Sequence, residues 1–260
     1  MKTSFSVLRK DKEILVFPII SFIACVLIVI SFFAGFFFIG IPVIFDQPWL
    51  LILIVFFLYI LLFFIVIFFN TAVIGCAGIR LNGGDPTVSD GLHIAIKNIG
   101  RIFVWAIISA TIGMILQAIR EKGGWIGRIF AGIFGIAWSY VTFFIIPVLI
   151  YEKKGVPTSI KRSAQLFKQT WGETIVGSFG FGIIFFLLAL LGIIPIFLGF
   201  ATTSNVGIII GFFIAFIYWV ILGAIASAIN GIYVAALYQY ATKKELPPQF
   251  DASLIPPHIS

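Results

Sequence analysis

From residue 174 to residue 242 the chain runs without one Asp, Glu, Lys, Arg or His. Four further runs share this property: 14–45, 47–79, 102–119 and 129–151. A helix needs about 20 apolar residues to cross a hydrocarbon core ~30 Å thick. Each of the first four runs accommodates one crossing. The longest needs two, parted by Thr202-Thr203-Ser204-Asn205. The spacing predicts an all-α, polytopic transmembrane bundle of six spans, at about 14–41, 49–79, 102–119, 129–150, 174–200 and 206–240. The runs are continuous and do not alternate, which argues against a membrane barrel. Residues 1–242 read as a single domain. Residues 243–260, with Pro247, Pro248, Pro256 and Pro257, read as a flexible tail.

Composition agrees. Only 10% of the residues are charged and 61% are hydrophobic, with a mean hydropathy of +1.18. A soluble domain carries about a quarter charged residues, so lipid must solvate most of this surface. The net charge of +7 does not point to nucleic acid, because the basic residues sit in short segments between apolar runs. The N-terminal start, with Lys2, Arg9, Lys10 and Lys12, precedes an uncharged stretch longer than the 7–15 residues of a signal-peptide core. It predicts an uncleaved first span.

Basic residues also set orientation. Fourteen Lys and Arg fall on the side of the N-terminus, the second and fourth loops and the tail, against three on the other. The bias predicts a multi-pass protein of the cell membrane with both termini in the cytoplasm. Membrane lipids, including anionic headgroups on the cytoplasmic side, are the expected partners. A second copy of the chain or other membrane proteins are further candidates.

Two basic segments predict short amphipathic interfacial helices. In 159–171, Ile160, Ala164, Phe167 and Trp171 share a face; in 90–100, Leu92, Ile96 and Ile99 do. A third segment, 5–12, is shorter. Together they suggest three units, each an interfacial helix followed by a transmembrane hairpin.

Chemistry is sparse. The spans hold no ionisable group for a proton relay or voltage sensor, nor a general acid or base. Cys25 and Cys76 stand apart inside apolar runs, and His93 and His258 are distant from each other. No metal ligand set, cofactor motif or catalytic residue follows, and the chain does not read as an enzyme. Asn70 and Asn230 are the salient polar groups within spans. They either line a polar cavity or bond across helices, at about 0.6 kcal/mol each; the second reading is the more ordinary. Small residues recur every four positions at Gly223, Ser227 and Gly231, and at Ala131, Gly135 and Ser139. Such stripes let helix backbones approach closely. Pro18, Pro147 and Pro195 can kink their helices.

Several stretches together carry a resemblance. They are Ser6-Val7-Leu8-Arg9-Lys10-Asp11 with Pro18, Trp105-Ala106 through Gly113, Phe143-Phe144-Ile145-Ile146-Pro147-Val148, and Ile160-Lys161-Arg162-Ser163 followed by Thr170-Trp171-Gly172-Glu173. In these the chain resembles an uncharacterised prokaryotic family of polytopic membrane proteins, a domain of unknown function. The resemblance implies six spans and no known activity. From chemistry alone, Arg162, Trp171 and Glu173 are a candidate interfacial anchor, with Glu173 expected to pair with Lys168 or Lys161. Two functional readings stay open: a membrane-organising, scaffold or assembly factor, or a transporter or channel for a small neutral or lipid-like solute.

Overall fold

The structure is a computed structural model and describes residues 7–39 and 47–243. The tail beyond Lys243 and the loop around Asp46 lie outside the described residues. Nine principal helices are described: α1 (Val16–Ile39), α2 (Pro48–Leu81), α3 (Val88–Lys97), α4 (Ile99–Lys122), α5 (Gly124–Val141), α6 (Val156–Gln169), α7 (Trp171–Leu191), α8 (Ile194–Ala201) and α9 (Asn205–Lys243). No strand occurs among the described residues. Six helical stretches are long and apolar enough to cross a membrane: Lys12–Gly35, Trp49–Leu81, Ile99–Lys122, Gly124–Glu152, Gly177–Ala201 and Asn205–Lys243.

The helices start and stop for local reasons. Pro48 opens α2, where its missing N–H costs nothing. Thr87 caps α3: its side chain accepts from the Asp90 N–H while the Asp90 carboxylate accepts from the Thr87 N–H. The fifth span is broken after Leu191, and Pro195 sits in the first turn of α8. At that break Gly192 N–H turns to the Ala189 carbonyl, at 3.1 Å. The Leu188 carbonyl then accepts from Tyr218 Oη at 2.7 Å, and the Ala189 carbonyl also accepts from Trp219 Nε1 at 3.0 Å.

The same order of elements occurs three times. A short helix ends at a buried polar residue, and a span begins just beyond it. The polar residues are Asp11, Asn98 and Thr170, each under 10% exposed. Each bonds to the carbonyl four residues back. Asp11 N–H donates to Val7 at 3.0 Å, Asn98 Nδ2 to Ile94 at 2.9 Å, and Thr170 Oγ1 to Leu166 at 3.0 Å. A buried stripe passes through the break without interruption. In α3–α4 it is Gly91, Ala95, Asn98, Ile102, Trp105 and Ser109; in α6–α7 it is Val156, Ser159, Ser163, Leu166, Thr170 and Thr174. Steps of three and four are the spacing of a packed helix seam.

The amphipathic faces that the sequence picks out divide in two. Leu92, Ile160 and Phe167 lean on the core. Ile96, Ile99 and Trp171 stay 57%, 47% and 63% exposed. Helices in lipid gain nothing by turning large apolar groups inward. Small and hydroxyl-bearing residues alternate in the seam with Ile102, Trp105 and Leu166, while Ile96, Ile99 and Trp171 are left to face outward.

Burial is concentrated at one end of the bundle. Thr71–Gly78 of α2, most of the last third of α9, and seven consecutive residues from Phe144 to Ile150 are buried there. The last of these stretches is one helical turn, Ile145–Pro147, followed by a wide π turn, Val148–Glu152; Lys153 ends it in a left-handed conformation, φ 52°. Toward the opposite end Ile133, Phe134, Phe186, Leu187, Phe197, Ile209 and Phe213 are all exposed. The helices meet at a packed base, and beyond it a larger share of their side chains faces outward.

Candidate functional site

Two arrangements stand out, a ring of ion pairs around the packed base and a cavity directly beneath it. In the ring, Arg80 at the end of α2 donates from Nε and Nη2 to both carboxylate oxygens of Asp11, and from Nη2 to Asp85. This two-pronged pairing suits a guanidinium. Asp11 is 5% exposed, so the contact fixes the first polar break against the end of the second span. Val88 N–H donates to Glu13 Oε2 at 3.2 Å, and Lys243 Nζ to Asn82 Oδ1 at 3.2 Å. These contacts join the start of α1, the end of α2, α3 and the end of α9.

Glu152 is the second centre of the ring. Its Oε1 accepts from Arg162 Nε at 2.9 Å and from Tyr238 Oη at 3.4 Å; its Oε2 accepts from Lys154 Nζ at 2.5 Å. The carboxylate is thereby saturated and well placed as a tie, not as a base. Tyr238 stacks on Tyr151, with ring centroids 5.6 Å apart and planes at 20°. Tyr151 Oη donates to the Ile74 carbonyl at 3.3 Å. Gly78 makes this approach possible, since a Cβ there would lie 1.8 Å from Tyr151 Oη. Phe144 N–H finds Ser163 Oγ at 3.0 Å, which fastens the buried turn to α6.

The anchor residues of the sequence reading are thus redistributed. Arg162 pairs with Glu152 across the loop. Trp171 is exposed. The side chain of Glu173, and so its pairing with Lys168 or Lys161, lies outside the described residues. Glu152 and Asp11 carry the ion pairs and were not singled out by spacing. A carboxylate directly after a 23-residue uncharged run, with a basic segment beyond it, was the available signal.

The cavity lies between α1, α2 and α9 and has a volume of about 580 Å³. Ser21, Cys25, Asn70 and Ser227 supply its polar lining. Phe22, Phe69, Phe216 and Trp219 supply much of the rest. Low numbers in α1 and high numbers in α2 and α9 lie toward the base, because Asp11 meets Arg80 and Lys243 meets Asn82. Pro18, Ile19 and Val73 therefore lie nearest the base, Ser21, Asn70 and Ser227 form a polar band next to them, and Val66, Phe216 and Trp219 lie farther away. Phe22, Phe216, Gly223 and Ser227 are exposed at its rim, so it opens sideways onto the surface that lipid covers. Asn70 is ten residues from Arg80 along α2, about 15 Å at 1.5 Å per residue. Among the described residues no hydrogen bond reaches its amide.

The structure separates the two asparagines. Asn70 lines the cavity, whereas Asn230, three residues beyond the lining Ser227 on α9, is exposed and outside the lining. The small-residue stripes divide too. At Gly231 a Cβ would come within 2.4 Å of Val73 Cγ1, a true close approach of α9 to α2. Gly223 and Ser227 line the cavity. On α5, Ala131 is fully buried and Gly135 faces Leu116 at 3.8 Å, while Ser139 is exposed and donates to the Gly135 carbonyl at 2.9 Å. Among the described residues no group of three metal-ligating side chains occurs.

Six apolar helices joined at an ion-paired base define a multi-pass α-helical membrane protein. Its family is shown by residues 49–246, which match the family of unknown function DUF6159, and the chain belongs to that family. Comparison with the curated proteins and with the solved structures finds no match.

Proposed function

We propose that the protein is a non-enzymatic, membrane-organising scaffold of the cell membrane, with both termini in the cytoplasm and the ion-paired base on that side. One observation carries this reading. The ionised groups just described are consumed in ties among helix ends, and the cavity beneath them holds no charged side chain. A transporter of ions or a proton relay needs charge along its path. Here charge serves attachment, while Lys12, Lys97, Lys161, Lys168 and Lys243 stay exposed around the base. Each basic group near an anionic leaflet contributes about 1 kcal/mol of attraction. The base then collects anionic headgroups and presents a rigid basic face to partners.

Reconstitution in nanodiscs of mixed zwitterionic and anionic phospholipid tests this. Anionic lipid should be enriched around the protein. Replacing Lys97, Lys161 and Lys168 by Gln should remove the enrichment without unfolding the bundle. Equal lipid composition around both proteins, or steady solute flux across proteoliposomes, would overturn the scaffold reading. Flux is the outcome expected of a carrier for a small neutral or lipid-like solute, which the cavity at Asn70 alone favours.

A further inference from the structure

We infer that the cavity between α1, α2 and α9 is a binding site for a neutral acylglycerol taken sideways from the bilayer. Three observations converge. The volume of about 580 Å³ falls in the range of ligand pockets, about 300–1,000 Å³. It admits a head and part of one chain, with the remainder trailing through the open side. Second, the lining is mostly apolar but carries a polar band, Ser21, Asn70 and Ser227, flanked by Pro18, Ile19 and Val73 on the base side and by Val66, Phe216 and Trp219 on the other, the setting of an amphiphile's small polar head among apolar groups. Third, no ionised side chain lines it, so a phosphate or ammonium head drawn beneath the ion-paired base would lie unpaired in a low-dielectric site.

The polar groups also specify the head. An amide in lipid needs both donor and acceptor partners, and the Asn70 amide offers both. Two serine hydroxyls add a donor and acceptor each. A free hydroxyl beside an ester carbonyl, as at the head of an acylglycerol, answers this set. A lone alcohol would leave part of it unmet. Trp219 Nε1 is already committed to the Ala189 carbonyl, so the tryptophan serves as wall and not as donor. The inference is independent of the scaffold reading, since a resident lipid is compatible with scaffold or carrier.

The test uses the full-length protein in nanodiscs of zwitterionic phospholipid with a photoactivatable diacylglycerol. Labelled peptides should come from α1, α2 and α9. Asn70→Leu should reduce labelling roughly three- to tenfold, the factor that one or two hydrogen bonds in a membrane supply. Gly223→Leu should abolish it by filling the mouth, where an added Cβ meets nothing within 4 Å. Ser139→Leu, at an exposed position of α5 outside the cavity lining, should leave it within about twofold. Thermal unfolding and monodispersity of each variant separate loss of the site from loss of the fold. Labelling that both Asn70→Leu and Gly223→Leu leave intact overturns the inference. So does equal competition by an isoprenoid alcohol, a quinone or an anionic phospholipid. Neither result touches the headgroup enrichment at the base.

Discussion

Arg162 Nε lies 2.9 Å from Glu152 Oε1, and this ion pair joins the Ser163–Phe144 hydrogen bond in tying α6 to the buried turn that closes the fourth span. The side chains are 32% and 16% exposed, so the pair is partly shielded from solvent. It is worth more than a surface ion pair, which contributes about 0–1 kcal/mol. Replacing Glu152 by Ala leaves Arg162 and Lys154 facing each other with Tyr238 Oη unanswered. The expected cost is about 1–3 kcal/mol, read as a lowered midpoint of thermal unfolding in detergent. Arg162→Ala should cost less, because Lys154 and Tyr238 still satisfy the carboxylate. A double-mutant cycle giving no coupling between the two positions would refute the assignment.

Gly78 and Tyr151 form a socket and its occupant. Gly78→Ala drives a methyl into the phenol and should destabilise by about 1–3 kcal/mol through overpacking. Tyr151→Phe removes the oxygen that the methyl would strike, so Gly78→Ala in that background should cost clearly less. Gly132→Ala is the contrast: nothing lies within 4 Å of the added carbon. It should be neutral or stabilise by up to about 1 kcal/mol. The three unfolding midpoints decide the matter.

Asp90 brings pH into the first turn of α3. The Thr87 hydroxyl and N–H hydrogen-bond its carboxylate and hold it below the ordinary carboxylate range. A group depressed in the folded state stabilises above its unfolded pKa, near 4 for a carboxylate, and loses that contribution as pH falls through the folded value. Amide exchange in α3 should therefore accelerate below about pH 4, beyond its intrinsic pH trend. Asp90→Asn should remove the inflection. An inflection that persists in the variant would assign it elsewhere.

The three polar breaks are not equivalent. Asp11 holds Arg80, whereas Thr170 bonds only within its own segment and to Thr174 among the contacts described. Asp11→Ala should lower stability more than Thr170→Val. The first removes a buried partner of a guanidinium, about 1–3 kcal/mol. The second removes a back-bond that a helix can spare. Comparable losses at both positions would mean that the breaks act as hinges of equal weight.

The spans were legible because lipid tolerates so few ionised groups that their absence marks each crossing. Arg162 was legible as part of an anchor, but the ion pair expected there was Glu173 with Lys168 or Lys161, because sequence reading favours near neighbours. The ion pair instead crosses a loop to Glu152. The seam of α6 was hidden for another reason: Ser159, Ser163 and Thr170 look polar in sequence, yet all three are buried, Ser159 and Thr170 bonding to nearby carbonyls and Ser163 to the Phe144 N–H. Asn70 and Asn230 look alike in composition. Position along the helix separates them: Asn70 falls at the cavity, and Asn230 falls just past the last lining residue of α9, Ser227.

The length of α9 has a mechanical consequence. A continuous helix of 39 residues extends roughly 58 Å, and α2 with 34 residues roughly 51 Å, against a hydrocarbon slab of about 30 Å. The surplus must lean, protrude or stretch the leaflets around it. Both rods are tied at the base, and the far part of α9 carries α8 with it, since Gly211 lies against Pro195 and Gly199, so these two helices tilt as one unit. Such a molecule can settle in bilayers of unequal thickness without disturbing the clamped end.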